Sequence, residues 1–214
     1  MAVKKVEPNQ APPGDGVVQI QRIGRETILV PIRGTAPLIM SRFSEKAKAE
    51  MLNISQGKKT EKQPKDPAAE YAAALYHFKD GYGFPSLAFK AATVSAARYY
   101  KKLAMTELRQ YLFFAGEVGP DGMRMVAING EPTMREDTVR YKTGGTDLRY
   151  RPEFQNWTAT LEVLYVTSAL TRDSVVSLIE AGGMGVGIGE WRPERRGDFG
   201  TYEIDPTKEV TVIQ

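Results

Sequence analysis

The stretch WTATLEVLYVT, residues 157–167, alternates apolar and polar side chains more regularly than any other part of the chain. A period of two residues indicates a strand with one buried face. Thr171 or Asp173 then caps a helix. A glycine-rich run at 182–189 separates this helix from a closing strand at 199–204. The second half of the chain therefore predicts a strand, a helix and a strand.

The first half of the chain supplies the matching elements. Residues 26–32 are rich in β-branched side chains and predict a strand, and 111–117 is strand-like as well. Between them, 86–102 predicts a helix with Leu87 and Phe89 facing the core. The order is βαββαβ, which predicts an α+β fold with a ferredoxin-like, or RRM-like, core.

The remaining segments lie around this core. Residues 35–84 and 118–156 are predicted to be two insertions, and the part at 131–156 shows no regular period and is predicted to be irregular. Residues 1–16 are rich in proline, glycine and polar residues, which is typical of a flexible arm. We therefore expect a single RRM-like domain over 17–214.

The composition excludes several classes of site. The 214 residues include no cysteine and one histidine, so disulfides, thiolate metal sites, zinc sites and a Ser-His triad are not expected. Glu136 and Asp137 lie between Arg135 and Arg140, which favours ion pairing over magnesium binding. No segment has the apolar length of a membrane helix or of a secretory signal. We expect a cytoplasmic protein with no membrane partner, no metal, no cofactor and no catalytic activity.

Two interpretations of the glycine run remain open. The run lacks the preceding strand and following helix of a dinucleotide fingerprint, and it lacks the Lys-Ser or Lys-Thr of a Walker A loop. Either the glycines end the helix and allow tight packing, or the bare backbone around Gly185 and Gly187 lets a phosphate chain or another ligand come close.

Basic and aromatic residues concentrate in the two insertions and after the glycine run, although the net charge is only +3. Arginine forks bind phosphates and aromatic faces stack on bases, but neighbouring acidic residues leave ordinary solvated loops as the alternative. Trp191 is expected either to stack on a base or to fill the core. The candidate nucleic-acid-binding residues are Arg42, Lys46, Lys58, Lys59, Lys90, Arg135, Arg140, Lys142, Arg149, Arg151, Gly185, Gly187, Trp191 and Arg192.

Two family resemblances add to this prediction. The βαββαβ order, with glycines at 182–189 between the last helix and last strand and Phe199-Gly200 beyond, resembles the RAMP superfamily. These RRM-like proteins form the RNA-binding backbone of CRISPR effector complexes. The resemblance implies that the glycine segment approaches an RNA backbone and that subunits stack head to tail.

Several strings, among them Pro37-Leu-Ile-Met and Asp147-Leu-Arg-Tyr-Arg, also resemble an uncharacterised family of bacteriophage and prophage proteins. This second resemblance implies a phage context in the host cytoplasm. The resulting prediction is a non-catalytic protein that binds single-stranded RNA or DNA as a homo-oligomer, with other phage or CRISPR-like subunits as further partners. The alternative is a phage assembly or interaction protein that binds other proteins instead.

Overall fold

The computed structural model describes residues 20, 22–58, 64–101, 103–140 and 144–213. The predicted arm at 1–16, Lys59 and Lys142 lie outside the described residues. The helices are α1 (Glu45–Ser55), α2 (Pro67–Ala74), α3 (Ser86–Ser95), α4 (Met105–Tyr111) and α5 (Arg172–Gly185). The strands are β1 (Arg25–Gly34), β2 (Leu38–Ile39), β3 (His77–Phe78), β4 (Gly81–Pro85), β5 (Leu112–Phe114), β6 (Glu117–Val118), β7 (Arg124–Ile128), β8 (Pro132–Arg140), β9 (Thr146–Phe154), β10 (Thr158–Val166), β11 (Tyr202–Ile204) and β12 (Thr211–Ile213).

The central sheet has the order β11–β1–β10–β5, and every neighbouring pair is antiparallel. β10 lies between β1 and β5, and the chain that connects β1 to β5 contains α3. In the same way, β1 lies between β10 and β11, and the chain that connects β10 to β11 contains α5. This is the split βαβ arrangement twice over. The predicted α+β class with a ferredoxin-like core is confirmed. β12 extends the sheet by pairing with Thr27–Leu29 of β1.

The period of two in β10 explains the core. Ala159, Leu161, Val163 and Tyr165 all point inward and are at most 3% exposed. Burying a large apolar side chain stabilises a fold by about 2 kcal/mol, so this one strand contributes several kcal/mol. On the other layer, α5 packs against α3 and β11.

Helix α3 differs from the prediction in length and in its buried side. It ends at Ser95 and continues as a 3-10 turn over Ala96–Tyr99, so the predicted helix at 86–102 was too long. Phe89 is fully buried as expected, but Leu87 is 72% exposed. Helical spacing places Ser86 and Phe89 about 60° apart on one side, and it turns Leu87 about 100° from Ser86 and about 160° from Phe89.

The segment after β2 forms α1, α2 and the β3–β4 hairpin. Ser44 caps α1 by accepting a hydrogen bond from the Ala47 N–H at 3.2 Å, as the sequence predicted. No residue of α1 is buried. The turn at Lys79 and Asp80 joins β3 to β4, which confirms the hairpin.

The prediction that 131–156 is irregular was wrong. β8 and β9 pair over nine residues, from Pro132 opposite Phe154 to Arg140 opposite Thr146, and form a long antiparallel ribbon. Gly144 and Gly145, with φ of 83° and 101°, lie in the connection at its tip. The ribbon escaped prediction because charged side chains alternate along it instead of apolar ones, and opposite charges then pair within and across the strands.

Candidate nucleic-acid interface

One face of the β8–β9 ribbon carries most of its charged side chains. The register places Arg135 opposite Arg151 and Asp137 opposite Arg149, and strand alternation puts both pairs on the same face. Glu153 lies on this face as well, two residues beyond Arg151. We call these five residues the charged face.

Arg135 is held at the centre of the charged face by two carboxylates. Its Nε donates to Asp137 Oδ1 at 2.7 Å and its Nη1 donates to Glu153 Oε1 at 2.8 Å. The Asp137 and Glu153 side chains are 4% and 10% exposed, whereas the Arg135 side chain is 30% exposed. The expected ion pairing around Asp137 is therefore present, and part of the Arg135 side chain still faces solvent.

Arg151 is the most deeply buried cation of the ribbon, with 4% of its surface exposed. Its Nη1 lies 3.8 Å from Asp137 Oδ2 and 3.9 Å from Glu190 Oε2, and neither distance is a direct hydrogen bond. Burial lowers the pKa of Arg151. The group is nevertheless a cation at every ordinary pH, because an arginine pKa starts far above neutrality.

Trp191 stacks beneath these guanidinium groups. Its ring centroid lies 5.1 Å from Cζ of Arg151 and 5.5 Å from Cζ of Arg135, and Arg135 also lies 4.8 Å above the ring of Phe199. The two rings are 6.1 Å apart and both are half-buried. The expectation that Trp191 fills the core was wrong, because its ring packs at the base of the ribbon. Base stacking by Trp191 stays a prediction.

Exposed arginines surround this stack. Arg149 lies on the charged face and is exposed, whereas Arg140, also exposed, lies at the far end of β8 on the opposite face and away from the stack. Arg195 and Arg196 are exposed in the turn that follows Trp191. These side chains provide cations near partly exposed aromatic rings, which is the composition of a surface that binds single-stranded nucleic acid.

The glycine run serves close packing at its first positions. A Cβ on Gly182 would lie 2.8 Å from the Ala92 carbonyl carbon, and one on Gly183 would overlap the Tyr202 carbonyl oxygen. The run also ends the helix: α5 finishes at Gly185, and Gly187, whose φ is +69°, donates its N–H to the Gly182 carbonyl. The packing interpretation therefore holds for Gly182 and Gly183.

The later glycines border a cavity of about 260 Å³. Its walls are Phe84 and Pro85 at the β4–α3 junction, small side chains of α3, and the turn after α5. The lining residues are Ser41, Tyr76, Phe84, Pro85, Ala88, Ala91, Ala92, Ser95, Val186, Gly187, Ile188, Gly189, Glu190, Arg192 and Glu194. Glu190 joins the cavity to the charged face, because the same carboxylate faces Arg151.

The other predicted cations do not join this cluster. Arg42 donates two hydrogen bonds of 2.7 Å to Asp121, which raise the pKa of Arg42. Lys90 Nζ donates to the Arg109 carbonyl at 2.9 Å, and burial lowers the pKa of this lysine. Lys46 and Lys58 are exposed on α1 and just beyond it. Arg192 lines the cavity, but its guanidinium bonds to the Gly189 carbonyl and to Glu194.

Sequence reasoning missed the carboxylates and rings that shape the site. Glu153 bonds to Arg135, Glu190 lies 3.9 Å from Arg151, and Tyr76 and Phe84 form an edge-to-face pair at 5.5 Å in the cavity wall. Only Glu190 carried a usable signal, its position directly before Trp191. Within the described ranges, no group of three or more His, Asp or Glu side chains is placed to hold a metal ion, and no helix there is long and apolar enough to span a membrane.

Comparison with known proteins finds similarity in structure but none in sequence. No family model matches the chain, and no curated protein matches its sequence. A chain from a cryo-electron microscopy structure of the Type III-B Cmr-beta complex bound to cognate target RNA is similar, with 11% sequence identity and a TM-score of 0.44. The similarity covers 89% of this chain and 61% of that chain, so the present chain spans about three fifths of its neighbour's length.

Proposed function

We propose that this protein binds single-stranded nucleic acid across the charged face and the turn that follows Trp191. The observation that carries the proposal is the stack of Arg135 and Arg151 on Trp191, with Phe199 beside it and exposed arginines around it. Aromatic rings accept any base by stacking, and arginines bind the phosphates between bases. Base-independent binding of one strand needs no more than these two components.

The buried and the exposed arginines have different roles in this proposal. Arg151 is enclosed by carboxylates and Trp191, so it fixes the position of the ring and the ribbon. Arg149 and Arg195 extend into solvent and supply the phosphate contacts. A binding test should therefore change the exposed pair and leave the buried arginine in place.

The experiment is a titration of labelled oligouridylate and oligothymidylate, followed by fluorescence anisotropy at several salt concentrations. The logarithm of the binding constant for a single strand falls linearly with the logarithm of the salt concentration. The slope is about −0.7 for each phosphate that the protein neutralises. An Arg149→Ala, Arg195→Ala variant should bind more weakly and lose about 1.4 from the magnitude of this slope. Comparing RNA with DNA in the same assay shows which nucleic acid is preferred.

Arg172→Ala is the matched control. Arg172 is an exposed arginine in an ion pair with Glu26 at the opposite end of α5, about 20 Å from Gly185 along the helix. Its replacement removes one positive charge without touching the proposed surface. An equal loss of affinity per charge in this control and in the double variant would mean that only net charge matters, and that the charged face is not the site.

We further propose that binding is shared among copies of the chain. A net charge of +3 gives one copy few phosphate contacts, whereas a row of copies adds contacts along the strand. Light scattering with increasing lengths of oligouridylate tests this, and a protein that stays monomeric on long strands at saturation refutes it. The phage setting implied by the sequence resemblance stays a prediction.

A protein-binding role is the second candidate, and α1 favours it. Met51, Leu52 and Ile54 are 57–65% exposed on a helix that buries none of its residues, and Phe43 before it is 51% exposed. Exposed apolar side chains in one element are typical of a protein contact. Association through this helix should change little with salt, whereas binding to phosphates should weaken steeply.

We also propose that the protein performs no catalysis on the strand it binds. Asp137 and Glu153, the carboxylates of the charged face, are already paired with Arg135. Incubation of the pure protein with end-labelled RNA and DNA, with and without magnesium, should leave both intact. Cleavage that disappears in a Glu136→Gln or Asp137→Asn variant would contradict this proposal.

A further inference from the structure

The cavity beside the charged face has the size and lining of a site for one planar ring system. Its volume of about 260 Å³ equals that of roughly nine water molecules in the liquid. That is room for a single heterocycle and too little for a dinucleotide. Phe84 and Tyr76 give it an aromatic wall, and Ala88 and Ala91 line it with short side chains that take up little of its space.

The charged groups at the cavity are the guanidinium of Arg192 and the carboxylates of Glu190 and Glu194. Arg192 donates to the Gly189 carbonyl and to Glu194, so its guanidinium is engaged within the turn. Glu190 is anchored through its backbone N–H, which donates to the Ile39 carbonyl at 3.0 Å. Its side chain is 43% exposed and reaches Arg151 only at 3.9 Å, so its carboxylate oxygens can accept further hydrogen bonds.

A carboxylate at the edge of an apolar slot selects a ring that presents adjacent N–H donors. A carboxylate accepts two parallel hydrogen bonds when the partner offers two donors side by side. The Watson–Crick edge of guanine offers N1–H and N2–H in that arrangement, whereas uracil and thymine offer one donor between two carbonyl oxygens. The same negative charge repels phosphate, so a bound strand keeps its phosphates on the arginines outside.

We propose that this cavity binds one unstacked guanine base of the bound strand, with Glu190 accepting from its Watson–Crick edge. The inference rests on the proposed function, and it adds base selection at one position to binding that is otherwise independent of sequence. Bases splayed out from a single strand are commonly recognised in this way, by stacking and by hydrogen bonds to their Watson–Crick edges.

The test compares an oligouridylate with the same strand carrying one central guanosine, and with strands carrying adenosine or cytidine there. The guanosine strand should bind about tenfold more tightly than oligouridylate, since one bidentate base contact gives discrimination of that order. Ala91→Leu, which fills the mouth of the cavity from an exposed helix position, should abolish the preference. Glu190→Gln should abolish it as well, and the Ala91 variant, which lies outside the charged face, should bind oligouridylate as wild type does.

Glu180→Gln, an exposed carboxylate on α5 outside the cavity, is the control and should keep the preference. Normal oligouridylate binding with no guanosine preference overturns the base site and leaves the proposed function standing. A preference for adenosine or cytidine overturns the assignment of guanine. If oligouridylate does not bind, the proposed function fails, and free guanosine, which has no phosphate, then tests the cavity. Chemical-shift changes at Gly187 and Glu190 support the site, and unchanged spectra at saturating guanosine refute it.

Discussion

Replacing Gly183 with alanine should destabilise the fold, although alanine is the better helix former. The new Cβ would overlap the Tyr202 carbonyl oxygen and lie 2.5 Å from the ring atom Cδ2, whereas real contacts of this kind stay beyond about 3.0 Å. Tyr202 cannot move aside, because it is 1% exposed and packs edge-to-face on Phe89 and Trp157. Helix α5 must therefore shift away from β11.

The size of the effect follows from two opposing contributions. Overpacking a closed core costs about 1–3 kcal/mol, and can cost more where the obstacle is backbone, while exchanging glycine for alanine in a helix gains about 1 kcal/mol. We expect a net loss of about 2 kcal/mol in the free energy of unfolding. Urea denaturation followed by circular dichroism measures it, with the slope m unchanged if the folded and unfolded states keep their exposed surface.

Gly185→Ala is the internal control, from the same helix. There the obstacle is the hydroxyl end of Tyr99, a side chain that is 55% exposed and free to turn away. The free energy of unfolding should change by less than about 1 kcal/mol, or rise slightly. Equal losses in the Gly183 and Gly185 variants would refute the packing argument. A Gly185 variant that is stable but binds oligonucleotides poorly would instead favour the ligand interpretation of that glycine.

Three further changes test other parts of the structure. Asp121→Asn should destabilise the protein at pH 7, and the effect should fade in acid. The hydrogen bonds from Arg42 lower the pKa of Asp121, so its contribution is present above the unfolded value of about 3.9 and is lost as the pH falls through the lower folded value. Asp137→Asn, which removes a carboxylate with 4% exposure between two guanidinium groups, should cost about 3 kcal/mol in urea unfolding, whereas Glu136→Gln on the opposite face should cost less than about 0.5 kcal/mol. Ser44→Ala removes the cap of α1 and should speed hydrogen exchange in that helix, and an unchanged exchange rate would show that the cap contributes nothing there.

The core could be predicted because its signals are local. The alternation in β10 and the cap at Thr171 each depend on a few consecutive residues. The strand is where the sequence placed it, and Thr171 is one of the two cap residues that the sequence offered. The length and orientation of α3 are not local properties. Its end at Ser95 and the exposure of Leu87 depend on which side of the helix packs against α5 and the sheet. No residue within 86–102 indicates which side that is.

The ribbon and the cavity could not be predicted, for two different reasons. The β8–β9 ribbon is stabilised by charge pairs such as Arg135 with Asp137, so the apolar alternation that reveals a strand is missing. The cavity is assembled from segments around residues 41, 76, 84–95 and 186–194, and its emptiness comes from short side chains on α3. Alanines in a sequence predict a helix, but they do not predict that a cavity lies next to that helix.

Stability and binding are coupled at the base of the ribbon, and this limits which substitutions report on function. Arg151 contributes to three things at once: the ribbon, the position of Trp191 and, through Glu190, the edge of the cavity. Replacing Arg151 would disturb the ribbon, the position of Trp191 and the edge of the cavity together. A drop in nucleic-acid affinity in that variant would therefore not show that Arg151 contacts a phosphate. Arg149, on the same face and exposed, is not one of the two arginines stacked on Trp191. A loss of affinity there, in a variant that unfolds like the wild type, is evidence for a contact with the strand.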